Sequence, residues 1–308
     1  MKNITELLGT EYPIIQGAMA KIAMHQLVGA VSEAGGLGVI ASGGMSPEQL
    51  REEIRLVREM TDKPFGVNLM LMMERCDELV DVVIETGVKI VTTGAGTPKR
   101  FMPKLKEAGV IVMPVVPNVK LAKKMEELGV DAVIAEGMEA GGHIGEVSTF
   151  PLVAAVTKAV NIPVIAAGGI SDGRGVMAAF ALGAKGVQMG TVYLASEECP
   201  ISQAYKDKVV ESIETSTVVT GRKFGAPVRT IRNQMTDTYL KLEEGHVERD
   251  ELEKLTIGSL WKAVKEGDVE NGSLMAGQVM GNIERIRSVQ EIQDDIIKEI
   301  QEMTLDVL

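Results

Sequence analysis

The chain has 308 residues, of which 45% are hydrophobic, 24% charged and 3% aromatic, the make-up of one large globular domain rather than a disordered or fibrous chain. Its net charge of −11 argues against a general nucleic-acid role, because phosphate contacts need a basic surface, and so few aromatic rings make base- or sugar-stacking platforms an unattractive reading. No apolar run approaches the roughly 20 residues that cross a bilayer; the N-terminus carries Glu6 and Glu11 without an apolar export core, and Cys76 and Cys199 stand far apart, so free thiols and a cytoplasmic setting are expected.

Along the chain, short β-branched runs alternate with amphipathic stretches. Candidate strands cover 12–16, 38–41, 66–71, 89–93, 110–115, 132–135, 164–167 and 186–189. That is the number a closed (β/α)8 barrel needs. Val133-Ile134-Ala135 and Val164-Ile165-Ala166 are apolar throughout, as parallel strands covered on both faces should be. Between them, Ser46 and Pro47 open a helix running to Met60. Asn118 opens another that stops before Gly129, and Asp172 a third that stops before Gly183. After about Tyr193 the rhythm changes. Residues 200–260 are polar and charged with a glycine-rich piece at 220–227, and a charged amphipathic helix follows Ser288. The expected fold is therefore a TIM (β/α)8 barrel over 1–195. A flap and helical extension follow over 196–270, then a terminal segment over 271–308 that packs on the barrel or on a second subunit.

Ligands of such barrels sit over the carboxyl ends of the strands. Small residues occupy that rim almost throughout: Gly17-Ala18-Met19-Ala20 after the first strand, Gly43-Gly44 after the second and Gly94-Ala95-Gly96 after the fourth. Ala166-Ala167-Gly168-Gly169 follows the seventh strand and Gln188-Met189-Gly190-Thr191 the eighth. Either loop alone reads as a tight turn. Both together, at the usual phosphate positions of the fold, point to a phosphorylated ligand held by backbone N–H groups. His143 lies after the sixth strand in Gly141-Gly142-His143-Ile144-Gly145. Its near-neutral ring suits a hydrogen-bond or proton donor; a structural or phosphate-adjacent histidine is the other reading. His25 reads as a helix-start residue and His246 as a surface residue of the flap. The three histidines are scattered without metal-ligand spacing, so no metal is expected. The dinucleotide fingerprint, the nucleophile elbow and the P-loop lysine motif are absent.

Five segments stand in one order: Tyr12 to Ala20, Lys63-Pro64-Phe65-Gly66-Val67-Asn68, Glu136 to Gly145, Ile165 to Ile170, and Met275-Ala276-Gly277-Gln278. Together they resemble the FMN-dependent enoyl-[acyl-carrier-protein] reductases II of bacteria, the FabK type, within the nitronate monooxygenase superfamily. Val91 to Gly96, Pro114 to Pro117 and Ala135 to Gly145 point to the reductase branch. The resemblance implies an FMN-binding barrel. Gly17, Ala18, Met19 and Ala20 would run along the flavin, with Ala18 standing where these reductases often carry glycine. Asn68 and Glu136 would meet the ring's polar edge or the ribityl chain. Gly141 and Gly142 would adjoin the cofactor, while Ala167, Gly168, Gly169, Gln188, Gly190 and Thr191 would hold its phosphate end. Met275, Gly277 and Gln278 would close over it, and His143 would be catalytic. The implied reaction is NADH-dependent reduction of a trans-2-enoyl thioester on acyl carrier protein, with NADPH and a monovalent cation left open and a homodimer expected. Because carrier and chain are both acidic, docking calls for local cations, and Lys99, Arg100, Arg222, Lys223, Arg229 and Arg232 are the candidates; scattered solvated charge is the competing reading. The alternative activity is a nitronate monooxygenase using oxygen. A flavin-free barrel acting on a phosphorylated metabolite and a non-catalytic flavin or metabolite sensor are the more distant readings.

Overall fold

The computed structural model describes residues 3–245 and 247–307; the expectation for His246 falls outside them. In chain order the strands are β1 (Ile14–Gln16), β2 (Gly38–Ala41), β3 (Phe65–Met70), β4 (Ile90–Gly94), β5 (Ile111–Val116), β6 (Val133–Glu136), β7 (Gly142–His143), β8 (Val164–Ala167), β9 (Gly186–Met189), β10 (Thr217–Thr220) and β11 (Val228–Ile231). Eight of them form one parallel sheet in the order β1-β9-β8-β6-β5-β4-β3-β2. The ring closes where Ile15 bridges Leu37 just ahead of β2, with Gln16 N donating to Leu37 O and Leu37 N to Ile14 O, both at 2.9 Å. This is the expected (β/α)8 barrel, with strands two, seven and eight bounded as the β-branched runs suggest.

Strand periodicity sorts the core into two layers. Ile15, Val39, Ile90, Met113, Ile134 and Ile165 point into the barrel and pack on one another. Their neighbours Ile14, Ile40, Val91, Val112, Val133 and Val164 point outward against the helices. The short helix Ile4–Leu8 plugs the amino end: Ile4 and Leu8 join the inner cluster, and a Cβ on Gly186, at the start of β9, would lie 3.4 Å from Ile4 Cγ2. Trimming one such inner residue, Ile134 to alanine for example, is expected to cost about 2–5 kcal/mol.

The helices begin where capping chemistry says they should. Pro47–Met60 opens with a reciprocal box in which Gln49 N donates to Ser46 Oγ at 3.2 Å and Ser46 N to Gln49 Oε1 at 2.8 Å. Asn118 caps Val119–Glu127 through Leu121 N, and Asp172 caps Gly173–Ala181 through Gly175 N at 2.9 Å. The terminal helix Val289–Val307 lies on the barrel's own helix Gly173–Ala181, where Gly173 N donates to the Glu299 carboxylate at 2.6 Å. Among the described residues no helix is long and apolar enough to cross a membrane. Both cysteines are free and buried.

The flap holds the main departure from expectation. Its strands β10 and β11 form an antiparallel hairpin, and β11 then pairs with β7, setting Val228 opposite His143 and Arg229 opposite Gly142. The loop after β6 is thus the third strand of the flap's sheet rather than a free rim loop.

Candidate active site

A cavity of about 520 Å³ opens over the carboxyl ends of the barrel strands. Every site residue expected from sequence lines it, except Gly277 and Gln278. Gly17 to Ala20 form one wall. Asn68, from β3, donates its Nδ2 to Thr92 Oγ1 at 2.9 Å, which leaves its side-chain oxygen free as an acceptor. Beside that wall, because β9 adjoins β1, lies the loop after β9, with the loop after β8 next to it. Gly168 and Gly169 hold φ of 90° and 73°, a left-handed conformation that costs an L side chain about 1–2 kcal/mol per residue. A Cβ on Gly168 would also come within 2.9 Å of Gly137 O. Among the described residues the N–H groups of Gly168, Gly169 and Gly190 donate to no protein acceptor.

Glu139, a lining residue to which sequence reasoning gave no role, would repel an anion beside Gly169. Its carboxylate is turned away, accepting Thr149 N at 2.9 Å and Thr149 Oγ1 at 2.8 Å at the start of the helix Thr149–Ala159. Glu136 differs. It ends β6 in the cavity wall, its carboxyl makes no hydrogen bond to any described residue, and burial pushes that carboxyl up to about 7. No lysine or arginine is among the residues lining the cavity.

Gly277 and Gln278 belong to a strap that braces the site from behind. Gly277 N donates to Thr191 Oγ1 at 2.8 Å, and Gln278 N to Glu139 O at 3.0 Å. Leu274 O accepts from Ile231 N and Thr230 Oγ1, both at 2.8 Å, tying the strap to the flap. The buried Tyr205 hydroxyl donates to Met275 O at 2.9 Å and so fixes Met275, which lines the cavity. Thr191 accepts with its oxygen, so its hydroxyl proton remains available to a ligand.

His143 lines the same cavity, is exposed, and has no ring hydrogen bond to a described residue. The arch carrying it is pinned by Ile144 N to Pro227 O at 3.1 Å and by Arg229, whose Nε donates to Met138 O at 3.0 Å and whose Nη1 donates to Thr217 Oγ1 at 2.8 Å. Arg229 is thus an interior bracket at 5% exposure, and its place among the surface docking cations is corrected. Arg232 is ion-paired with Asp237 and Arg100 with Asp77, while the Lys223 ammonium donates to the Glu243 and Gly245 carbonyls. His25 opens the helix His25–Glu33 as expected, with Nδ1 at 3.0 Å from Glu53 Oε2. The apolar part of the lining, Val115, Pro117, Ile144, Leu260 and Val279, also went unassigned from sequence. A second cleft, of about 660 Å³ on the flap, is lined by charges of both signs such as Lys208, Glu211, Lys241 and Glu270, and none of the expected site residues reaches it.

The geometry agrees with three comparisons. The family model for nitronate monooxygenase matches residues 1–299. The solved structure of FabK from Thermotoga maritima is 50% identical, with a TM-score of 0.95 over 100% of this chain and 98% of that one. A probable nitronate monooxygenase of Staphylococcus saprophyticus is 34% identical over 98% of both chains. A (3aS,4S,5R,7aS)-5-hydroxy-7a-methyl-1-oxo-octahydro-1H-indene-4-carboxyl-CoA dehydrogenase of Mycobacterium tuberculosis is 34% identical over 96% of this chain and 94% of that one. With a glycine-cradled cavity over a (β/α)8 barrel and full-length likeness to FabK, the chain belongs to the nitronate monooxygenase family of oxidoreductases.

Proposed function

We propose that the protein is an NADH-dependent, FMN-containing reductase of trans-2-enoyl thioesters carried on acyl carrier protein. The observation that carries this reading is one cavity holding three things: a cradle of free N–H groups, an unpartnered histidine on the arch after β6, and an apolar wall. The fit to a mononucleotide rests on the glycines that a Cβ would block and on amides otherwise left without acceptors. Full-length likeness to FabK supports the substrate class, and the CoA thioester in the name of the mycobacterial relative is of the same chemistry.

FMN, when bound, supplies the two-electron chemistry, taking hydride from NADH and delivering it to the enoyl β-carbon. The chain does the rest. The loops Gly168-Gly169 and Gly190-Thr191 hold the phosphate, while Asn68 and Glu136 meet the polar edge of the ring or the ribityl chain. Met275, set by Tyr205, closes the cavity on the strap side and keeps water out. His143 donates a hydrogen bond to the thioester oxygen, where negative charge grows, or delivers the proton that reaches the α-carbon. Val115, Pro117, Ile144 and Leu260 receive the acyl chain. The carrier docks less on cations than on exposed apolar side chains near the mouth: Met72 after β3, Val147 and Phe150 after β7, and Trp261 beside the lining residue Leu260. The working form is a cytoplasmic homodimer, with 196–270 as its substrate-binding flap.

The nitronate monooxygenase relatives support a second reading, in which the same flavin and His143 act on alkyl nitronates with oxygen. Steady-state assays separate the two. The FMN-loaded protein is expected to oxidise NADH in the presence of crotonyl-CoA, with less activity on NADPH, and to leave propyl nitronate in air untouched. Nitronate turnover without enoyl reduction reverses the assignment.

A further inference from the structure

Hydride transfer into a closed pocket carries a charge. A hydride brings two electrons and one nucleus, so the site gains one negative charge each time it is reduced. In this cavity the charge meets no lysine or arginine among the lining residues. The titratable lining groups are Glu136, Glu139 and His143. Glu139 is engaged by Thr149 N and Oγ1. His143 is exposed and lies on the arch paired with the flap. From the elements flanking Glu136, the lining is Val115 of β5 and Ala167 of β8, and no residue of the helix Thr149–Ala159 enters the wall; Arg229, on the flap strand β11, is spent on Met138 O and Thr217 Oγ1. Glu136 is therefore the carboxyl left facing the cavity with no partner.

Resting on the FMN reading above, we propose that Glu136 is the proton carrier of this pocket, taking up one proton when the bound cofactor is reduced and releasing it on reoxidation. In the first half, an O–H bond forms on the Glu136 carboxylate with a proton drawn from water, cancelling the charge the hydride brings. In the second half, hydride leaves for the enoyl β-carbon, the α-carbon takes its proton from water by way of His143, and the Glu136 O–H breaks, its proton returning to water. Electrons come only from NADH and end only on the enoyl substrate, so the step balances without another reductant. A carboxyl already pushed up to about 7 by burial needs little further push to hold that proton.

The test counts protons rather than turnovers. The FMN-loaded protein is titrated potentiometrically about one pH unit above neutrality, and the protons taken up per two electrons are read from the pH dependence of the potential. Wild type is expected to take up two, and Glu136→Gln one. Equal counts overturn the proposal while leaving the FMN reading intact; a chain that takes up no FMN on reconstitution overturns both. Should the Gln variant not load, infrared difference spectra of wild type keep the idea exposed. A protonated-carboxyl band that grows on reduction, moves with ¹³C-glutamate labelling and persists in Glu139→Gln supports it, and its absence overturns it.

Discussion

The cradle at the ends of β8 and β9 and the arch that carries His143 line one cavity, yet they are built on opposite plans. The cradle is made by the barrel itself. Its donors are backbone N–H groups, Gly168 and Gly169 have φ that other residues resist, and the parallel strands behind it are buried on both faces. The arch is held from outside the barrel, by two residues of β7 lying against β11, one pinned amide and one buried guanidinium. On the function proposed above, ligand retention and chemistry have separate supports, and substitutions should divide along that line.

The largest effect belongs to the arch. His143→Ala is expected to lower enoyl turnover by about 10²–10⁴-fold while FMN affinity stays within about threefold, as flavin fluorescence would report. Normal turnover in that variant removes His143 from the mechanism and with it half of the contrast. Next comes the cradle. Gly168→Val combines a left-handed φ of 90° with a Cβ 2.9 Å from Gly137 O. FMN affinity should fall by about a hundredfold, the equivalent of about 3 kcal/mol. An unchanged dissociation constant would mean that the phosphate sits elsewhere. Arg229→Met sharpens the division. It should cut kcat about tenfold and cost about 1.5–3 kcal/mol in denaturant unfolding, with FMN still bound, because it loosens only the arch. Thr191→Val removes the acceptor for Gly277 N and is expected to weaken FMN binding by about fivefold, roughly one hydrogen bond's worth, by equilibrium dialysis.

The smallest effect is one of pH. Glu136 has its ordinary value of 4.5 in the unfolded chain and about 7 in the native one, so between those values the native state holds more proton. Stability of the flavin-free protein should then fall as pH rises across that window and level off above it. The melting temperature of Glu136→Gln should lack that slope; an identical slope in both proteins would assign it to another group.

The barrel was readable because its signals are local. Runs such as Val164 to Ala167 carry their own period, and Ser46, Asn118 and Asp172 announce the helices they cap. That the glycine loops after β8 and β9 would line a cavity was readable because both stand at carboxyl ends of barrel strands, although either alone reads as a tight turn. The arch was not. A strand of two residues has no periodicity, and its partner Val228 lies far along the chain in a segment that reads as polar flap. The β-branched runs 217–220 and 228–231, on either side of Gly221 and Gly225, carried a hairpin signal, but nothing local said that its outer edge would take up His143. Arg229 was misplaced for the same reason. An arginine reads as surface until its two acceptors, Met138 O and Thr217 Oγ1, are known.

The brevity of β7 also bears on how such proteins diverge. Side chains alternate along a strand, so a slip of one residue against β11 would turn the imidazole to the opposite face, while the barrel and its glycine loops would keep their shape. On the function proposed above, a single codon gained or lost near this edge would silence the chemistry in one generation without unloading the nucleotide. Natural variation in this lineage should then be sought in indels beside β7 and β11 before it is sought in the barrel.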